Sequence, residues 1–305
     1  MPQIETLSAR TIDAVVQRVV AHQRAVNERQ PLINGAVDAW SVKEMLLDQR
    51  DDVAVALRDD VVVGHLRGTV LLADPDGPSV WVSPDSMSYD DSATLDALYA
   101  FQATNWLDRG AVRQFVWSPI DETAPWINLG FAYVHQRGVL ALDGVVASSL
   151  PTGYVTRRGT RDDLEVALVL DAVMDDEQRS SPSFLLTLGD ARGEWIETLE
   201  DPDTVYLIVE RDGDAVGQCV WFPLDQRVGS FQRTVHLSAV TVLSEHRRLG
   251  VARAMIDEAL LIARAAQFAY AETNWRVSNR RAARYWDSYG FTSTYTRLHR
   301  VIGAG

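Results

Sequence analysis

Lysine is almost missing from this chain of 305 residues: Lys43 is the only one, and arginine carries nearly all the positive charge. We read that bias as genomic base composition rather than mechanism. Cysteine is equally scarce. Cys219 stands alone, so no internal disulfide can form, and its setting in the apolar run Val216-Gly217-Gln218-Cys219-Val220-Trp221-Phe222 reads as a buried thiol on a strand. No stretch approaches the roughly 18 consecutive apolar residues that a membrane-spanning helix needs, which excludes a spanning helix and a membrane partner. The start, Met1-Pro2-Gln3-Ile4-Glu5, lacks the basic and apolar regions of a secretory signal, so a cytoplasmic location is expected. No run of basic residues interrupts a net charge of -13, which would repel phosphates and argues against a nucleic-acid partner. No metal is expected either.

What is present is a pattern written twice. The segment Val53-Ala54-Val55-Ala56-Leu57-Arg58-Asp59-Asp60-Val61-Val62-Val63-Gly64 is similar to residues 205–217, with Arg58 matching Arg211 and Gly64 matching Gly217 at an offset of 153. Each copy predicts strand, tight turn and strand, because β-branched runs flank the turn residues Asp59-Asp60 and Asp212-Gly213. Helical periodicity precedes both copies. Ile12, Val15, Val16, Val19, Val20 and Val26 share one face, Ser41-Val42-Lys43-Glu44 predicts a capping box, and Thr160-Arg161-Asp162-Asp163 opens the matching segment of the second half. After each hairpin the pattern predicts strand, helix, strand and a Gly-Phe pair, Gly130-Phe131 and Gly290-Phe291. A break at Ser148-Ser149-Leu150-Pro151-Thr152-Gly153 predicts two α/β domains, 1–150 and 151–305.

The chemistry-bearing segment begins with the β-branched strand His236-Leu237-Ser238-Ala239-Val240-Thr241-Val242. It runs on through Arg247-Arg248-Leu249-Gly250-Val251-Ala252-Arg253 into a helix with Val251, Met255, Ala259 and Ile262 on one face. A helix N-terminus offers unpaired amides and the positive end of its dipole, and Gly250 and Ala252 are small enough for a diphosphate to approach the backbone. Taken alone, such a corner reads equally well as an ordinary strand, loop and helix with solvated arginines. Downstream, Asn279, Ala282, Trp286, Gly290 and Phe291 are spaced as Asn-x-x-Ala-x-x-x-Trp-x-x-x-Gly-Phe.

The first of these segments resembles motif A of the GNAT N-acetyltransferases, Arg/Gln-x-x-Gly-x-Gly/Ala, through Arg247, Gly250 and Ala252. The second resembles the family's Asn-x-x-Ala-x-x-x-Tyr-x-x-x-Gly-Phe. The resemblance is specific over about residues 153–305 and weaker before them. It implies two tandem GNAT-like domains, each an α/β fold in which a mixed, mostly antiparallel sheet with a splayed parallel strand pair is flanked by helices. It further implies that acetyl-CoA, as cosubstrate, binds the second domain. Its pyrophosphate would lie on the amides of Arg248, Leu249, Gly250, Val251, Ala252 and Arg253, near Arg247. Val240 and Val242 would meet the pantetheine, and Asn279 and Trp286 would lie along the cofactor arm.

The implied reaction is direct attack of an amine, on a small molecule or a peptide, on the thioester. His236 is the first candidate for the base, because alternation places His236, Ser238, Val240 and Val242 on one face and an imidazole accepts a proton near neutral pH. Glu272 is the second. Trp286 stands where the family has its tyrosine, so Tyr285 and Tyr289 become the candidate acids.

The first half reads as a degenerate copy. Val82 matches Val242 at an offset of 160, followed by a loop, Ser86-Met87-Ser88-Tyr89-Asp90-Asp91, with no arginine and no glycine. The aromatics Trp81, Tyr89, Trp106, Trp117 and Trp126 read as core. A non-catalytic acyl-CoA sensor is the rival reading. Mycothiol synthase is similar as a tandem chain with a functional second half, and the family resemblance leaves a homodimer open.

Overall fold

In the computed structural model, which describes residues 2–74, 77–180, 191–225 and 227–303, the chain opens with β1 (Gln3–Thr6), α1 (Ile12–Arg29), α2 (Ala39–Asp48), β2 (Val53–Arg58), β3 (Val61–Arg67), β4 (Thr69–Leu71) and β5 (Ser79–Val82). There follow β6 (Met87–Tyr89), α3 (Ser92–Asp108), β7 (Arg113–Pro119), α4 (Ala124–Asn128), β8 (Ala132–Ala141), β9 (Tyr154–Arg158), α5 (Leu164–Arg179) and α6 (Ala191–Glu200). The remainder is β10 (Val205–Arg211), β11 (Asp214–Pro223), β12 (Thr234–Val242), α7 (Val251–Ala265), β13 (Tyr270–Arg276), α8 (Arg280–Tyr289) and β14 (Thr292–Val301). Among the described residues no helix is long and apolar enough to cross a membrane.

The compact units do not follow the halves of the chain. One comprises Met1–Gln136, Arg227–Ser230 and Ser293–Gly305, and the other Arg137–Gln226 and Phe231–Thr292. A contiguous division at 150/151 therefore does not describe the packing. The final strand, β14, belongs to the first unit, where it pairs antiparallel with β7, buries Leu298 against α3 and accepts at Tyr295 Oη a bond from Gln23. Residues of β8 from Arg137 onward belong to the second unit, beside β13.

Both hairpins form, with a positive φ at Asp59, Asp60, Asp212 and Gly213, the backbone that a tight two-residue hairpin turn requires. Each also carries a one-residue bulge, with Val63 extra in the first and Val216 in the second, again 153 apart. The matched glycines have a common cause. A Cβ on Gly64 would lie 2.8 Å from the Ser88 carbonyl oxygen, and one on Gly217 would lie 3.0 Å from that of Thr241. Each glycine lets the next strand approach closely.

That register corrects one sequence match. Gly64 pairs with Tyr89 and Gly217 with Val242, so the partner of Val242 is Tyr89, not Val82. Part of the supposed loop at 86–91 is strand β6, and only Asp90 and Asp91 separate it from α3, whereas residues 243–250 separate β12 from α7. The extra length of the second copy lies in that loop. A second correction concerns α2: it starts three residues before Val42, capped by Asp38, which accepts from the amides of Trp40 and Ser41, so Ser41 is helical and not the cap. Asp38 takes the cap because its carboxylate satisfies two amides at once.

In the second unit the strands run β9-β10-β11-β12-β13-β8. Alternation sends Leu207, Val209, Cys219 and Trp221 to the face covered by α7 and α8, and Tyr206, Ile208 and Val220 to the face covered by α5 and α6. Cys219 is fully buried, which pushes its thiol pKa up and leaves it unreactive. The first unit repeats this division. Ala54 and Ala56 meet α3 on one side, and Val53 and Val55 meet α1 and α2 on the other. Trp106 and Trp126 are wholly in its core, while Trp81 is half-buried and stacks on Phe115 at 4.3 Å.

Candidate active site

The site is built where a parallel pair comes apart. β12 and β13 are joined only at Thr234 with Tyr270, Val235 with Ala271 and His236 with Glu272, although both strands continue beyond. Past His236 the two strands separate, which leaves the backbone of β12 with no strand partner on that side among the described residues. The Thr273 hydroxyl donates to the Leu237 carbonyl at 2.9 Å, just inside the mouth.

β12 is also bulged on its other edge. Ser238 pairs with Val220 and Thr241 with Gln218, so Ala239 and Val240 together oppose Cys219, and Ala239 adopts a φ of +46°. The bulge breaks simple alternation. His236, Ser238 and Thr241 lie on the α5 and α6 side, opposite Phe222, Val220 and Gln218, while Val242, opposite Gly217, packs into the core under α7. The expectation that His236 and Val242 share a face therefore fails, because one inserted residue inverts every later side chain.

The loop after β12 forms the predicted helix entrance. Gly250 caps α7 with a φ of +89°, and among the described residues no side chain caps the helix and a Cβ at Gly250 would meet nothing within 4 Å. The amides of Val251, Ala252 and Arg253 precede the first intrahelical bond, from the Ala254 amide to the Gly250 carbonyl, and so face outward. Of the nearby arginines, Arg247 donates from Nε to the Val242 carbonyl at 2.7 Å and pairs with Glu177 at 2.6 Å. Arg253 pairs with the buried Asp257 at 3.2 Å and lies 4.1 Å over the Tyr289 ring. Arg248 and Leu249 are exposed, and among the described residues Arg248 is the arginine of this loop left without a partner.

The second motif serves mainly to fix α8. Asn279 caps that helix, accepting at Oδ1 from the Ala282 amide at 3.0 Å. Trp286 is buried against Phe291, ring centroids 5.2 Å apart at 80°, and Trp126 meets Phe131 in the first unit at 5.3 Å and 82°. Both tryptophans stand four residues before a Gly-Phe pair, so the indole is a packing element of the repeat. The two candidate acids differ. Tyr289 donates its hydroxyl to Asp257 at 2.5 Å, and burial followed by that carboxylate drives its pKa up. The Tyr285 hydroxyl is buried with no hydrogen-bond partner among the described residues, and burial raises its pKa as well.

His236 and Glu272 do come together, with Nδ1 4.0 Å from Oε1. Sequence reasoning missed the third member. Arg137, from β8, places Nε 3.2 Å from the same Oε1, and both Arg137 and Glu272 are buried. Its signal is a single charge in an otherwise apolar strand end, Arg137-Gly138-Val139-Leu140. Glu177, which pairs with both Arg247 and Arg281, was missed too, and no local pattern marks it.

The corresponding corner of the first unit is closed from within. Asp91 caps α3, accepting from the Thr94 hydroxyl and amide and pairing with Arg58. The Thr94 bonds, with help from Arg58, lower its pKa to about 2. A carboxylate thus occupies the helix end that faces outward in the second unit.

Residues 170–291 match the model of the acetyltransferase (GNAT) family. No curated protein matches the chain. Among solved structures, a GCN5-related N-acetyltransferase from Sphaerobacter thermophilus is 17% identical, with 100% of this chain and 96% of that one covered and a TM-score of 0.66. A tandem GNAT protein from the clavulanic acid biosynthesis pathway is 13% identical, with both chains covered completely and a TM-score of 0.55. A conserved protein of unknown function from Staphylococcus epidermidis is 14% identical, covering 84% of this chain and 97% of that one, with a TM-score of 0.52. Residues 170–291 thus carry the sequence pattern of the GNAT family, and the chain over its whole length shares the fold of a tandem GNAT protein.

Proposed function

We propose that this protein is an acyl-CoA-dependent N-acyltransferase that moves an acetyl group from acetyl-CoA, or another short acyl group from its own CoA thioester, to an amine. The observation that carries the reading is the pairing of an uncapped α7 N-terminus at Gly250 with an opened β12 edge that begins at His236. The first suits a diphosphate, and the second offers backbone groups to an extended amide chain. In this reading His236 takes the proton from the attacking amine. The nitrogen bonds to the thioester carbon, the carbon–sulfur bond breaks, and the thiolate accepts a proton. Tyr285 is the better donor for that proton, since Tyr289 is committed to Asp257.

Release of free thiol from acetyl-CoA against a panel of small and peptide amines tests this, with Gly250→Glu as the binding-deficient control. Turnover that the control abolishes supports the enzyme. Cofactor binding without turnover would favour a non-catalytic acyl-CoA sensor, the reading that the packed, hydroxyl-free Trp286 favours.

A further inference from the structure

We propose that Arg137 is a positioning residue for acyl transfer: it holds the Glu272 carboxylate, which in turn orients the imidazole of His236. The inference rests on the reading of His236 as the base. The three side chains come from adjacent strands in the order β8, β13, β12, and Arg137 Nε and His236 Nδ1 approach the same carboxylate oxygen at 3.2 and 4.0 Å.

Burial decides what each can do. The side chains of Glu272 and Arg137 are 1% and 5% exposed, so neither charge is tolerable without the other, and their pairing fixes where Oε1 sits. His236, at 16%, still reaches solvent. A carboxylate on the Nδ1 side favours the tautomer with its proton on Nδ1, leaving the Nε2 lone pair to accept a proton from the amine. At 4.0 Å this is an electrostatic bias rather than a hydrogen bond, of a kind that tightens when substrate binds. Arg137 comes from β8 and His236 from β12, with the strand of Glu272 between them, so the carboxylate is the group through which Arg137 acts on the imidazole.

The strand that carries Arg137 precedes the 148–153 break, in the half of the sequence whose own motif loop is missing. The degenerate copy thus supplies a residue to the active centre of the intact one.

The test is a double-mutant cycle in the full chain, read by steady-state kinetics and acetyl-CoA binding. Arg137→Met should lower kcat on the order of 10- to 100-fold, leaving KM for acetyl-CoA and the binding constant within about twofold. Arg137→Lys, which keeps the charge, should recover at least about tenfold of any larger loss. In a His236→Ala background Arg137→Met should add less than about threefold. An undiminished effect in that background, or loss of acetyl-CoA binding, overturns the proposal and leaves Arg137 as a structural ion pair. If Arg137→Met does not fold, Arg137→Gln, which removes the charge but keeps a polar side chain, carries the same cycle. Wild-type protein without turnover would sink the acyltransferase reading itself, and unchanged kinetics in His236→Ala would sink the base; each is distinguishable from failure of the Arg137 link alone.

Discussion

Tyr289 donates its hydroxyl to the buried carboxylate of Asp257 at 2.5 Å, and that bond separates two tyrosines that the sequence leaves equivalent. Tyr289→Phe strips Asp257 of one of its two partners among the described residues, the other being Arg253, and should cost about 1–3 kcal/mol of stability, read by chemical denaturation. Tyr285→Phe removes a buried, unpaired hydroxyl, so stability should stay level or rise while kcat falls about tenfold. The opposite pattern, with activity lost only in Tyr289→Phe, would move the acid.

Gly250 gives a second test, because bulk and backbone can be separated there. With φ at +89° and open space around a Cβ, Gly250→Asn should fold normally and keep acetyl-CoA affinity within a few-fold, since asparagine tolerates the left-handed region. Gly250→Glu should abolish binding by placing negative charge at the outward amides of α7. Calorimetric titration of both variants distinguishes charge at the helix end from mere loss of glycine.

The same titration should give one acetyl-CoA per chain. Asp91 already fills the helix end of the first unit, and only two residues separate β6 from α3. Asp91→Asn should still show one site and lower the thermal midpoint through a weaker ion pair with Arg58. Two sites in either protein would contradict the reading of the first unit as degenerate.

His65 should make the first unit acid-sensitive. It is fully buried, its Nδ1 lies 2.8 Å from the Ser88 hydroxyl, and burial lowers its pKa to about 3. The unfolded chain protonates near pH 6.5 and the folded one does not until near pH 3, so the stability of the neutral buried ring is present above pH 6.5 and lost as pH falls between those values. Between pH 7 and pH 5 the loss should reach about 2 kcal/mol, with His65→Gln flattening that slope in urea titrations.

Much of this was legible because local chemistry dictated it. Asp59-Asp60 and Asp212-Gly213 announce their turns, and the Arg247–Ala252 segment announces a strand, loop and helix whose motif agrees with the family match. What was hidden depends on register or on distant chain. A one-residue bulge at Ala239 and Val240 turned Val242 to the other face, and no alternation rule contains that residue. The match of Val82 to Val242 failed because identity of residue type says nothing about which strand position faces Gly217. Arg137 was invisible because its meaning lies in Glu272, more than a hundred residues away.

The exchange of strands changes how this protein can be divided. A chain cut near 150 would leave the front piece without β14 and the rear piece without the Arg137 strand, each exposing a hydrogen-bonding edge that native proteins avoid presenting. The fragments should therefore be insoluble apart and recoverable only when produced together. With the final strands exchanged, neither half of the sequence can be removed without also taking away a strand of the unit that the other half mainly builds.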